Sequence, residues 1–217
     1  MSKSETLKRY ILFIIGLFFA AVGVAVTKRG ELGVSPISSV ANVMSCKYTS
    51  ISLGTWLIIW NCVLIAGQIV ILKKNFQLIQ LLQIPLSFLF GWFTNLGVWG
   101  VSFIPVHSYV GRLVMVLLGV FILGFGISLS VVADVILNSG EAFVKAIADT
   151  TNKEFGTVKI AFDVACVILA VVLSLVLFDF SVVGTREGTV ISALLTGFAV
   201  KLITKTVKRP LTVVLCG

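Results

Sequence analysis

Long apolar runs recur along the chain, separated by short polar or basic breaks. A bilayer-spanning helix needs about 20 mostly apolar residues. Runs of this kind extend from Tyr10 to Val26, Leu53 to Leu72, roughly Leu78 to Val98, Leu113 to Ala133, Thr157 to Phe178 and Gly188 to Thr204. Thr27-Lys28-Arg29 closes the first and Lys73-Lys74 the second, while Gly97, Gly100 and Pro105 mark a loop after the third. Lys201 falls near the end of the last run, where a lysine can snorkel to the interface. The N-terminus has the basic-then-apolar order of a signal peptide, but Thr27-Lys28-Arg29 follows directly and no convincing small-x-small cleavage site precedes it. An uncleaved first spanning helix is therefore expected.

Two segments do not fit the spanning pattern. Gly33 to Met44, GVSPISSVANVM, and Asn138 to Asp149, NSGEAFVKAIAD, each follow a spanning run. As helices they would be about 18 Å long, too short for a hydrocarbon core of about 30 Å. Both open with helix-start chemistry. Ser35 is placed to cap with Pro36 at the first helical position, and Asn138 is followed at the capping-box spacing by Glu141. Each is expected to form a short helix that re-enters the membrane or lies at its surface.

The two halves of the chain also overlay. Gly16 and Gly23 match Gly119 and Gly126, and Ser38-Ser39-Val40 falls on Glu141-Ala142-Phe143. After a one-residue gap Gly54-Thr55 matches Gly156-Thr157 and Asn61 matches Asp163; later, Gly91 matches Gly197 and Leu96 matches Leu202. Each half is a helix, a short segment and two more helices. Three crossings per half is an odd number, so the halves enter the membrane from opposite sides, as in the inverted repeats of many secondary transporters. The expected fold is an all-α integral membrane protein, a single membrane domain over 1–217. Six transmembrane helices form two inverted three-helix repeats, approximately 10–98 and 112–205, joined by a loop at 99–111.

Composition agrees. Of 217 residues, 58% are hydrophobic and 12% charged, about half the usual charged share of a soluble domain. That excludes a soluble enzyme, a disordered tail and a nucleic-acid reader. The net charge of +8 lies between apolar runs rather than on one basic face, so it reads as an orientation signal. With both termini cytoplasmic, Lys3, Lys8, Arg9, Lys73, Lys74, Lys145, Lys153, Lys205, Lys208 and Arg209 fall inside. Lys28, Arg29, Lys47, Arg112 and Arg186 then fall outside. Cys46, Cys62, Cys166 and Cys216 show no metal-ligand spacing and read as structural or incidental.

The run GLFFAAVGVAV, then LGVSPISSV, and the closing VVGTREGTVISALLTGFAVKL resemble the bacterial YczE/YyaS/YitT-type membrane proteins over nearly the whole chain. Leu32-Gly33-Val34-Ser35-Pro36 is the most specific shared motif. The resemblance implies a small protein of the bacterial inner membrane, from a largely uncharacterised group that carries over no substrate or catalytic residue.

The small residues Gly16, Gly23, Gly119 and Gly126 fit close helix packing. Candidate substrate-binding residues are Ser35, Pro36, Ser38, Asn61, Asn138, Glu141 and Asp163. The N-terminus of a helix favours an anion, and a carboxylate such as Asp163 inside an apolar span marks a pathway or a relay by default. Against this stand plain structural roles: surface helices capped for their own stability, and Lys159 pairing with Asp163 one turn on. His107 lies alone in a loop, Arg186-Glu187 reads as an interfacial pair, and Trp56, Trp60, Trp92 and Trp99 include interface anchors. No phosphate loop, HExxH or nucleophile elbow is present, so no enzyme, cofactor or metal is expected. The expected function is a small-solute transporter or permeation protein with a midplane site between the repeats. The alternative is a non-transporting membrane partner, either a substrate-capture subunit of a larger transporter or a regulator. Besides the lipid bilayer and an unknown small solute, a second copy or another membrane protein is the expected partner.

Overall fold

The computed structural model describes residues 3–216. Among them are eight α-helices and no strand: α1 (Lys3–Arg29), α2 (Pro36–Lys47), α3 (Leu53–Leu72), α4 (Gln83–Val101), α5 (Tyr109–Ala133), α6 (Ser139–Thr151), α7 (Phe155–Leu177) and α8 (Glu187–Cys216). All but α2 and α6 are long and apolar enough to cross a bilayer, six in total. The chain is a multi-pass membrane protein.

Element boundaries depart from the hydropathy pattern at α1, which begins at Lys3 rather than Tyr10 and runs on through Arg29, and in two later spans. The third span begins as a 3-10 turn, Leu78–Leu82, after a separate turn at Lys73–Asn75 that ends the second, and becomes an α-helix only at Gln83. Pro85, without an N–H to donate, is tolerated in the first turn of that helix and sets its start. The last helix does not stop at Thr204 but continues through Lys205, Lys208, Arg209 and Pro210. Charge ends an apolar stretch without ending a helix, because lysine and arginine are good helix formers.

At the centre α1 and α5 run antiparallel and form the most extensive helix pair. Their packing is glycine against backbone. A Cβ at Gly16 would lie 2.7 Å from the Gly126 carbonyl oxygen, and one at Gly119 would lie 2.8 Å from the Gly23 carbonyl oxygen. Those two contacts exchange under the overlay of Gly16 on Gly119 and Gly23 on Gly126, so a two-fold relation passes between the helices. Lipid gives no hydrophobic drive for helix association, so this close approach is what holds the pair.

The remaining pairings follow the same relation. Helix α4 packs on α1 as α8 packs on α5; α2 packs on α7 as α6 packs on α3; and α2 meets α3 as α6 meets α7. The short helices are thus exchanged between repeats, each leaning on a spanning helix of the other half. The Ser39 hydroxyl reaches the Cys166 carbonyl at 3.5 Å. On the other side, Gln68 Nε2 donates to the Ser139 carbonyl at 3.2 Å. One pairing breaks the rule. Helices α3 and α4 form a substantial interface, whereas α7 and α8 have no comparable one.

Candidate functional site

The short helices begin where apolar spans cannot cap them. Ser35 and Asn138 occupy the expected N-cap positions, and Pro36 is the first residue of α2, yet neither side chain caps a backbone N–H of its helix. The Ser35 hydroxyl turns to Ser38 instead, at 3.0 Å. At α2 the first-turn N–H groups are left without a side-chain cap, whereas in the first turn of α6 the Glu141 carboxylate receives its own backbone N–H.

These two ends meet. A Cβ at Gly140, the second residue of α6, would lie 2.8 Å from Cδ1 of Ile37, the second residue of α2. Ile37 and Gly140 are equivalent under the repeat overlay, so the short helices approach N-terminus to N-terminus on the two-fold relation itself. Beside this junction lies a cavity of about 740 Å³, within the usual range of small-molecule sites. All seven candidate residues border it: Ser35, Pro36 and Ser38 from α2, Asn61 from α3, Asn138 and Glu141 at and within the start of α6, and Asp163 from α7.

One end of the cavity is sealed. Leu53 and Leu57 pack with Ala20, Val24 and Leu123, and Trp56, Trp60 and Phe90 close over them. The cavity runs the other way, past Glu141, Lys145 and Asp149 on one face of α6 and past Lys153 and Lys159. That is the face carrying both chain termini, because six spans return the chain to the side on which it starts. Lys159 pairs with Asp163 along α7, as expected from the spacing. Among the described residues no ion pair engages Glu141, and Arg186 and Glu187 pair with each other at 3.3 Å. His107 and the large indoles of Trp92 and Trp99 are exposed on the outer surface, whereas Trp56 and Trp60 belong to the seal.

Polar side chains on the wall fall into two groups. Gln68 and Gln83 exchange amide hydrogen bonds at 3.0 and 3.1 Å, and Ser87 lies 3.2 Å from the Ser139 hydroxyl. That group is internally satisfied. Ser192 and Thr196 on α8 are not: both border the cavity, Ser192 is fully buried, and neither hydroxyl has a partner. Thr189 on α8, and Thr185 two residues before the helix, are also buried and unpartnered. Several other hydroxyls in the spans return to a carbonyl one turn back, as Thr94 does to Phe90 and Ser128 to Gly124, while Thr204 is unpartnered like Ser192 and Thr196. The α8 series was missed in the sequence because serine and threonine in an apolar helix carry no motif. The spacing of three and four from Thr189 through Ser192 to Thr196 places these three on one face of α8, which was the available signal.

The broken pairing has a residue-level cause in the same wall. In the first repeat Gly54 and Gly91 touch backbone to backbone. A Cβ at Gly91 would lie 2.6 Å from the Gly54 carbonyl and 2.6 Å from Ile58 Cγ1. The Gly54 N–H donates to Asn95 Oδ1 at 2.9 Å, tying the start of α3 to α4. In the second repeat the equivalents are Gly156, Gly197 and Ile160. Gly197 has nothing within 4 Å, and Ile160 is 67% exposed on the cavity wall. Identical residue types thus make a closed contact in one half and a gap in the other.

A family model described as a family of unknown function (DUF6198) matches residues 7–205. No curated protein and no solved structure matches the chain. The chain belongs to the DUF6198 family.

Proposed function

We propose that this member of the DUF6198 family is a small-solute transporter that alternates between two states, with its site at the junction of α2 and α6. The observation that carries the reading is the unequal state of two equivalent contacts, Gly54 against Gly91 and Gly156 against Gly197. An inverted repeat can exchange the conformations of its halves at little net cost in contacts, because each half is built to make what the other makes. Exchange would bring α7 onto α8 with Ile160 over Gly197, and part α3 from α4. The cavity would then close toward the termini and open on the opposite side. The seal of Leu53, Leu57, Trp56 and Trp60 is the barrier in the state described above.

Positive charge supports an orientation with both termini in the cytoplasm of a bacterial cell and the open mouth facing inward. The LGVSPISSV segment and the closing run support a place among the YczE/YyaS/YitT-type proteins. The reading requires no catalytic group.

The test is side-specific labelling in sealed vesicles, with Cys46, Cys62, Cys166 and Cys216 replaced. A cysteine at Thr196 should react with an impermeant maleimide from the side of the termini. One at Ile58 should react from the opposite side only. Cross-linking cysteines at Ile160 and Ala193 should abolish Thr196 labelling and raise Ile58 labelling. Ile58 unreactive in every condition, or both sites reacting from one side, would overturn alternation and favour a non-transporting membrane partner.

A further inference from the structure

Equivalent positions in the two repeats differ in charge. Under the overlay that pairs Ser38 with Glu141 and Asn61 with Asp163, Leu57 falls on Lys159. The first repeat is neutral at all three positions and the second is charged at all three. The neutral half is also the shut half, with Ser38 5% exposed and Leu57 2%. In the open half the Lys159 and Asp163 side chains are 26% and 19% exposed, and Glu141 is partly buried on the cavity wall.

That cluster holds two carboxylates and one ammonium. Lys159 on α7 pairs with Asp163 on the same helix. Glu141 on α6 lies within electrostatic reach of both, and its carboxylate receives its own backbone N–H. The other titratable groups on the cavity wall are Lys145 and Asp149 farther along α6 and Lys153 between α6 and α7, all exposed. Helices α1 to α5 and α8 add no titratable side chain to that wall. Burial pushes the Glu141 carboxyl above its ordinary range, and Lys159 draws it part of the way back.

Exchange of the two halves gives each residue the surroundings its counterpart now has. Shutting the second half would therefore make Glu141 and Lys159 as buried as Ser38 and Leu57. Lys159 goes with Asp163 as a neutral pair. Glu141 would go as an unpaired buried charge, which a carboxylate avoids by taking up a proton. Among the described residues no three carboxylate, imidazole or thiol groups are placed to hold a metal ion, and a proton needs no such set.

We propose that Glu141 couples the alternation to a proton. The cavity shuts toward the termini with a proton on the Glu141 carboxylate, and reopening returns that proton to the water on the side of the termini. The inference rests on the alternating reading and adds the ion that is linked to it. The shut state binds the proton more tightly than the open one, so its share grows as pH falls. For one proton the shut-to-open ratio rises by at most about tenfold per pH unit, and it levels off once Glu141 is protonated in both states.

Spin labels at Thr157 and Leu202 report the gap between α7 and α8, and the equivalent pair Thr55 and Leu96 reports α3 against α4. All four residues are exposed. The full-length chain, with its native cysteines replaced, is placed in lipid nanodiscs, and both distances are measured by double electron–electron resonance. The pH runs from about 4 to about 9, a range that spans a carboxyl raised above its ordinary value. Lower pH should shorten Thr157–Leu202 and lengthen Thr55–Leu96 together. Glu141→Gln should favour the shut distances at every pH and remove the response. Glu141→Asp keeps a titrating carboxyl and should keep a response with a displaced midpoint, while Asp149→Asn at the exposed mouth should leave it unchanged. A pH response that survives Glu141→Gln overturns the proposal. So does a shift produced by exchanging sodium for choline at constant pH. Cross-linking Ile160 to Ala193 shuts the second half at any pH, so Ile58 labelling after the cross-link, with distances unmoved by pH, sinks the proton and leaves alternation standing. Unmoved distances with no Ile58 labelling sink both.

Discussion

Ile37 and Gly140 are the same position in the two repeats, and they touch. A Cβ on Gly140 would lie 2.8 Å from Ile37 Cδ1 and 3.2 Å from its Cγ2. The isoleucine of one short helix fills the space that the glycine of the other leaves. The two-fold relation is therefore kept in the backbones and broken in the side chains at the one point where two identical bulky residues would collide.

That contact predicts a compensating pair. Gly140→Val should lower the unfolding temperature by crowding Ile37, at a cost of about 1–3 kcal/mol for overpacking. Ile37→Ala made alone should cost less, since Ile37 is only partly buried. The double variant should be more stable than the sum of the two, with a coupling of at least about 0.5 kcal/mol in a double-mutant cycle. Additive effects would mean the short helices do not meet at these residues.

Glycines at the α1–α5 crossing should be intolerant where Gly197 is not. A Cβ at Gly126 would clash with the Ala20 and Gly16 backbones, and backbone cannot move aside as a flexible side chain can. Gly126→Val is expected to reduce folded yield severely in a detergent size-exclusion profile. Gly197→Val meets open space and should purify like the parent chain. On the alternating reading it should nevertheless hinder closure of α7 onto α8, so labelling at Ile58 would fall while stability stays unchanged.

The Gln68–Gln83 pair offers a test of polar packing. Both side chains are buried and each donates to the other, with a further bond from Gln68 to the Ser139 carbonyl. Gln83→Leu alone leaves the Gln68 carbonyl oxygen without its donor and should cost about 1–2 kcal/mol. Changing both residues to leucine should recover part of that loss, because no half-satisfied amide remains facing its partner. A double variant as damaged as the sum of the singles would contradict the pairing.

Asp163 and Lys159 should tolerate exchange better than single loss. Asp163→Ala leaves a part-buried ammonium without its carboxylate, and Lys159→Ala leaves the reverse. The swapped variant, Lys159→Asp with Asp163→Lys, keeps the i,i+4 spacing and should regain most of the unfolding temperature lost by either alanine. A swap no better than the alanines would show that position-specific surroundings, rather than the pair itself, govern these residues.

Much of this molecule is written locally. Apolar run length gave the number of spans, and α3 begins and ends at Leu53 and Leu72 as the run does. Ser35-Pro36 and Asn138 marked where α2 and α6 start, because capping and proline chemistry act over one turn. Matched glycines showed a repeat, and odd crossing number made it inverted. Helix ends were less legible where charge masked continued helix, as beyond Thr204, or where Pro85 delayed its start. The seven candidate residues lie far apart in sequence, and each was chosen for its residue type; only folding put them on one cavity wall. Ser192 and Thr196 carried no such signal, since serine and threonine recur through the apolar helices and only folding places these two beside the cavity. Nor could the sequence say that Gly54 and Gly91 are in contact while Gly156 and Gly197 are apart. The two pairs have the same residue types, so local preference is the same in both, and the difference is a property of how whole helices are disposed.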